Sequence, residues 1–223
     1  SASSVTGDAA TVRDFCAEIL VEEDKCCQGT NACTGWDGVA TVSRGSCNED
    51  MACQNLADGV EIGLYSCNGV NSCLEVGLNT VILDRSCNSD GPNGACQSVE
   101  SNVTIGISSC NGGFACAGAK SDTIIGDGSC TDGDSACLNM VSTTMIGDRS
   151  CVGSSSCEEQ AAPSIGDDSC NGISSCTGLG SGGGVDSNSC NAGFACYERI
   201  SFVNSNTCNT ECGCTNFTGI PCN

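Results

Sequence analysis

The sequence predicts an all-β fold: a disulfide-rich β-solenoid, or β-helix, of about nine rungs of about 20 residues, with a short N-terminal helical cap and a non-repeating C-terminal cap. Three observations predict it. Cysteines recur in pairs at a period near 20, the stretch between pairs keeps an almost constant length, and the same side-chain types return at the same places within it. A unit of this size cannot bury its apolar face alone, so it must stack on copies of itself.

The pairs are Cys27 with Cys33, Cys47 with Cys53, Cys67 with Cys73, Cys87 with Cys96, Cys110 with Cys116, Cys130 with Cys137, Cys151 with Cys157, Cys170 with Cys176, and Cys190 with Cys196. Seven of these nine pairs are six residues apart; the other two are nine and seven apart. From a second cysteine to the next first cysteine the distance is 14 in seven of eight intervals, and 13 between Cys157 and Cys170. A rung in register with its neighbours cannot change length, whereas a projecting turn can. The paired cysteines therefore close a projecting loop, and the constant part supplies the stacked strands. This divides the chain into residues 1–26 (N-terminal arm and capping helix), 27–207 (solenoid) and 208–223 (C-terminal disulfide cap).

Within the constant part, Val42, Ile62, Ile82, Ile105, Ile125, Ile146, Ile165 and Val185 form the strongest apolar column. Pairs such as Val60/Ile62 and Val103/Ile105 alternate with Glu61 and Thr104, the pattern of a strand with one face buried and one wet. A second inward column holds Trp36, Leu56, Val76, Val99, Ala119, Met140, Gln160 and Leu179. Gly63, Gly106, Gly126, Gly147 and Gly166 follow the first column directly, where a rung must turn at positive φ or without a Cβ. A hydroxyl precedes each first cysteine, from Ser46 to Thr207, and asparagines from Asn48 to Asn209 recur just after it, suited to amide ladders or to left-handed turns. The rung at residues 181–184 lacks an apolar partner and is expected to be the loosest.

The ends differ. Residues 1–11 are small and polar and read as an extended arm or a flexible tail, a disordered tail being the reading adopted. Phe15, Ile19 and Leu20 then fall at helical spacing beside Cys16, with Glu18, Glu22, Glu23 and Asp24 for the wet face, so a short helix is expected to cover the first rung. At the other end Cys208, Cys212, Cys214 and Cys222 crowd a tail containing Pro221.

Two disulfide arrangements are open, within each rung or between neighbouring rungs, because a step of about 4.8 Å also fits disulfide Cα distances. Pairing within the rung is the reading adopted. Cys26 is expected to join Cys16, and the four C-terminal cysteines to pair among themselves in an order the sequence does not fix.

With 24 cysteines in 223 residues the expected compartment is oxidising and extracellular, and the start at Ser1 reads as a mature secreted form. Seven Lys+Arg against 27 Asp+Glu give a net charge of −20, which repels nucleic acid and anionic membranes. No apolar run is long enough to span a bilayer.

Catalysis is not expected. The chain has no histidine, so Ser-His-Asp and Cys-His sites and imidazole metal ligands are excluded, and the array lacks the C-x-x-C spacing of zinc sites. A glycosidase-type carboxylate pair remains formally open, but no insertion looks able to form a cleft. Asp84, Asp127, Asp148 and Asp167 recur just after the strand corner, where they either hold calcium or form a solvated acidic face; no other cofactor is expected. Asn102 with Thr104 and Asn216 with Thr218 are candidate N-glycosylation sites. Phe114, Phe194, Val70 and Ile173 project at related loop positions, either packing on neighbouring loops or forming an apolar row. Thr41, Thr80, Thr104, Thr123, Thr143 and Thr144 are too irregular for a flat ice-binding face.

The recurring phrase Ile-Gly-Asp-x-Ser-Cys-Asn-Gly-x-x-Ala/Ser-Cys, as in Ile165 to Cys176, resembles cysteine-rich repeat proteins of diatoms and related algae over roughly residues 27–208. The resemblance implies an extracellular repeat protein and no active site. The expected function is a structural subunit of an extracellular filament or surface fibre, a glycosylated head-to-tail homopolymer. The alternative is a monomeric secreted binding protein that meets glycan, mineral or ice through one face.

Overall fold

The structure, a computed structural model, describes residues 3–141, 144–198, 201–210 and 213–214. It is a β-solenoid. One eight-stranded sheet runs in chain order through β1 (Ser4–Gly7), β2 (Ala40–Ser43), β3 (Glu61–Ile62), β4 (Val81–Ile82), β5 (Thr104–Ile105), β6 (Ile124–Ile125), β7 (Met145–Ile146) and β8 (Ser164–Ile165). Strands β2 to β8 are parallel and in register, so that Val42 lies against Ile62, Ile62 against Ile82, and so on to Ile165. Those six strand pairings join seven regular rungs, fewer than the nine the sequence predicts. Val185 and Val203 continue the ladder only as isolated bridges, and the glycine-rich run before Val185 explains the loss of regular strand.

The inward columns form a thin core. Val42, Ile62, Ile82, Ile105, Ile125, Ile146, Ile165 and Val185 are buried, and so are Leu56, Val76, Val99, Ala119, Met140 and Leu179 of the second column. Trp36 is only partly buried and donates its indole N–H to the Cys53 carbonyl. The five glycines after the strands serve close approach and not positive φ: a Cβ on Gly106, Gly126 or Gly147 would lie within 2.7 Å of backbone atoms of the next rung.

Turns make up most of each rung, and their conformation was not legible in the sequence. Both cysteines of the pairs from Cys27–Cys33 to Cys190–Cys196, together with Cys208 and Cys214, sit at φ between 51° and 61°. A left-handed non-glycine residue costs on the order of 1–3 kcal/mol. The conformation aims each first-cysteine N–H along the rod: Cys47 donates to Ser66, Cys67 to Ser86 and Cys87 to Ser109, at 3.1, 2.9 and 3.0 Å.

Two side-chain ladders fix the stacking. Each buried serine before a first cysteine accepts from the next serine's N–H and donates to a carbonyl of the next rung. Ser86 Oγ, for example, accepts from Ser109 N at 3.2 Å and donates to Gly106 O at 2.6 Å. This ladder runs unbroken from Ser46 to Thr207. The asparagine column is an amide ladder in which Asn68 Oδ1 accepts from Asn48 N at 3.0 Å and Asn68 Nδ2 donates to Gly45 O at 2.7 Å. Thr131 and Val152 interrupt it.

The N-terminal segment is not a free arm. β1 pairs antiparallel with β2 over four residues, covering the edge of the first rung. Helix α1 (Ala9–Ala17) starts earlier than its apolar spacing suggests, because Asp8 caps it by accepting from Thr11 N at 2.8 Å. Ile19 and Leu20 therefore fall beyond the helix; Ile19 is buried, whereas Leu20 is 95% exposed. The solenoid also runs past residue 207: the Cys208–Cys214 loop stacks on Cys190–Cys196, with Cys196 N donating to Gly213 O at 2.8 Å.

Candidate functional site

Three features of the surface bear on function: the disulfide spine, the acidic column and the loop clefts. The disulfides link Cys16 to Cys26 in the cap and run within the rung elsewhere, from Cys27–Cys33 to Cys190–Cys196. Cys208 pairs with Cys214, a six-residue pair like the others; Cys212 and Cys222 lie outside the described residues. Neighbouring links are stacked closely: the sulfurs of Cys67, Cys73 and Cys87 lie within 4.8 Å of one another, as do those of Cys110, Cys116 and Cys130.

The aspartate column exists, with a structural use for one oxygen of each carboxylate. Asp84 Oδ1 accepts from Leu64 N at 2.8 Å, and Asp127 Oδ1 from Ile107 N at 2.7 Å. Asp148 Oδ1 accepts from Asp127 N, and Asp167 Oδ1 from Asp148 N, at 2.9 and 3.0 Å, so these three stand on consecutive rungs. Ile107 separates Asp84 from them. Among the described residues, groups of three metal-ligating side chains within 4.8 Å are formed only by cysteines in disulfides, so the column makes no converging carboxylate cage of the kind calcium takes. Beside it, Arg149 makes a bidentate pair with Asp168 at 2.7 Å for both contacts, which holds the Asp168 carboxyl below its ordinary value.

Clefts are present, contrary to the expectation from the insertions. The long loop 87–96 stands above the short loops on either side, and loop 130–137 is also longer than its neighbour. Between them lies a cleft of about 520 Å³ lined by Asp90, Asn93, Asn111, Asp132 and Asp134, and another of about 560 Å³ lies on the far side of loop 87–96 beside Glu49 and Val70. The first is lined by polar residues, glycines and Pro92, and one of its carboxylates already accepts from Gly113 N at 3.2 Å.

The remaining candidates are scattered. Phe114 is exposed on its loop, Ile173 is 62% exposed, and Phe194 contacts Tyr197 with ring centroids 6.2 Å apart; only Ile173 and Phe194 stand on adjacent rungs, so no continuous apolar row forms. Asn102 is exposed at φ 60°, while Asn216 lies outside the described residues. Sequence reasoning missed the buried, unpartnered Gln160 Oε1, although Gln160 breaks an otherwise apolar column; Ser72 Oγ and Ser156 Oγ, each just before a second cysteine, are also buried without a partner.

The chain matches the family described as "Domain of unknown function (DUF7640)" over residues 8–132, 91–187 and 133–221, three overlapping placements of the kind a periodic chain allows. It belongs to the DUF7640 family. No curated protein and no solved structure matches the chain. The three DUF7640 placements together cover the cap helix and the described spine. The many disulfides, with no helix among the described residues long and apolar enough to cross a membrane, fit a secreted or extracellular protein.

Proposed function

We propose that this DUF7640 chain is a non-enzymatic structural subunit of an extracellular filament or fibre, joined head to tail with copies of itself and glycosylated at Asn102. The observation that carries the reading is the direction of the backbone hydrogen bonds. In the interior rungs N–H and C=O groups pair with the rungs before and after, along the rod axis. Backbone edges suited to a further partner are thus concentrated at the two ends. At one end β1 has a strand neighbour on one side only among the described residues; at the other, the rung of Val203 is held by a single bridge. Adding a strand to such an edge is a recurrent way for chains to associate.

Charge sets the conditions. A net charge of −20 opposes contact between copies until salt screens it, and the Debye length is about 8 Å at physiological ionic strength. Asn102 is exposed, as an N-glycan requires, while Val103 and Thr104 of its sequon are buried and half-buried. The test is electron microscopy with light scattering on native protein in physiological salt. Filaments with an axial repeat of no less than about 40 Å are expected, the length of nine rungs at about 4.8 Å. Monodisperse single rods at high concentration would remove the filament reading, and an unmodified Asn102 in secreted native material would remove the glycan.

A further inference from the structure

Accessibility is graded along the disulfide spine. Every cysteine from Cys33 to Cys196 is 0% exposed, so an external thiol cannot reach the interior sulfurs in the folded rod. The ends differ: Cys27 and Cys208 are partly buried, and Cys214 is exposed. Thiol–disulfide exchange requires access to the sulfur under attack, which makes Cys214 the described sulfur most open to it.

Exchange beyond that terminal link depends on the spacing between rungs. The sulfurs of Cys190, Cys196 and Cys208 lie within 4.8 Å of one another. The rung step of about 4.8 Å falls inside the range of Cα separations that disulfides span, so a link between rungs needs no large backbone movement.

We propose that the C-terminal end of the spine is a thiol relay: reduction enters at Cys208–Cys214, and the broken link is passed inward to Cys190–Cys196 by intramolecular exchange. In the first step the thiolate of a small monothiol of the glutathione class attacks Cys214 Sγ. The Cys208–Cys214 bond breaks, a mixed disulfide forms on Cys214, and Cys208 leaves as the thiolate. In the second step Cys208 rotates and attacks one sulfur of Cys190–Cys196. A Cys208 link to that residue forms, the old bond breaks, and the other cysteine of the pair leaves as a thiolate. No net oxidation accompanies this second step, since one disulfide replaces another and the thiolate only changes place. Similar sulfur clusters at Cys110, Cys116 and Cys130, and at Cys67, Cys73 and Cys87, stand apart from this one, separated by intervening rungs. The relay does not depend on the filament reading, because every step occurs within one chain.

The experiment uses the native unreduced protein and substoichiometric glutathione. Samples are quenched with a thiol-alkylating reagent at successive times and mapped as peptides without reduction. The relay gives peptides crosslinking Cys208 to Cys190 or Cys196 and alkylation at the displaced partner, ahead of any labelling in the rungs nearer the middle. Labelling spread evenly over all pairs from the first time point would overturn it. So would alkylated Cys208 with no link between rungs. As a second arm, the double substitution Cys208→Ser/Cys214→Ser removes the point of attack; labelling of Cys190 and Cys196 should slow by about tenfold or more, and an unchanged rate would also overturn the proposal.

Discussion

Gln160 occupies a place that its column reserves for apolar side chains. Its neighbours above and below are Met140 and Leu179, and all three are essentially inaccessible to solvent. The amide Nε2 donates to Ala162 O at 3.3 Å, but Oε1 has no partner. A buried acceptor left unpaired costs about 1–3 kcal/mol, whereas an ordinary amide–carbonyl bond is worth about 0.5–1.5 kcal/mol net. Methionine, of nearly equal length, removes the unpaired oxygen but also the donor to the buried Ala162 O, two changes of similar size and opposite sign. The gain that remains is the burial of an apolar side chain in place of an amide, about 1 kcal/mol, which for a chain of this size raises Tm by roughly 2–4 °C. Calorimetry with the disulfides intact measures it, with Gln160→Ala as the control that opens a cavity and destabilises. A Gln160→Met variant less stable than the parent would refute the column assignment, since an apolar side chain would then be unwelcome between Met140 and Leu179.

Three other perturbations probe the stack. Ser129→Ala removes the acceptor of Ser150 N and the donor to Gly147 O, leaving two buried backbone groups unpaired; a loss of about 2–4 kcal/mol in denaturant titration is expected, and a neutral variant would show that the serine ladder carries no stability. Gly126→Ala places a Cβ 2.7 Å from Asp148 N and Gly147 C, so it should cost about 1–3 kcal/mol, while wild-type stability would mean that the rungs are not so closely spaced. Asp8, Glu100 and Asp168 are each held below the ordinary carboxylate value, by the Thr11 backbone N–H, by Lys120 with Ser121, and by Arg149 respectively. Such groups stabilise the fold above the unfolded-state value of about 4, and that contribution is lost as pH falls through the folded values. In roughly 0.5 M salt, where repulsion among the carboxylates is screened beyond about 4 Å, the urea midpoint should begin to fall below about pH 4; a midpoint that holds or rises down to pH 2 would contradict these pairings.

The axial order was legible in the sequence, and the local conformation was not. Val42 to Val185 could be aligned because a register shift would turn the isoleucines outward, so spacing alone selects one stacking. The hydroxyl and asparagine columns were visible for the same reason. The left-handed cysteines were hidden, since positive φ is ordinarily announced by glycine or asparagine and here falls on residues chosen for their sulfur. Asp8 passed unnoticed as a cap because its helix is short and weakly amphipathic, and β1 because Val5 is its one large apolar residue and a single such residue makes no alternation. The Cys208–Cys214 loop was obscured by Cys212 inside it and by the shortened interval after Cys196. The clefts beside loop 87–96 depend on how far a nine-residue loop stands above six-residue neighbours, which spacing suggests only in outline.

Closing a seven-residue loop is worth about 2 kcal/mol, and two left-handed cysteines in each loop cost about as much or more. The turns are therefore held by the links and the axial hydrogen bonds together. Peptide mapping of the native, unreduced protein tests this most directly. Stacked rungs predict crosslinks between Cys47 and Cys53, Cys87 and Cys96, Cys130 and Cys137, and likewise along the chain. Native protein whose crosslinks join cysteines several rungs apart would contradict the solenoid itself.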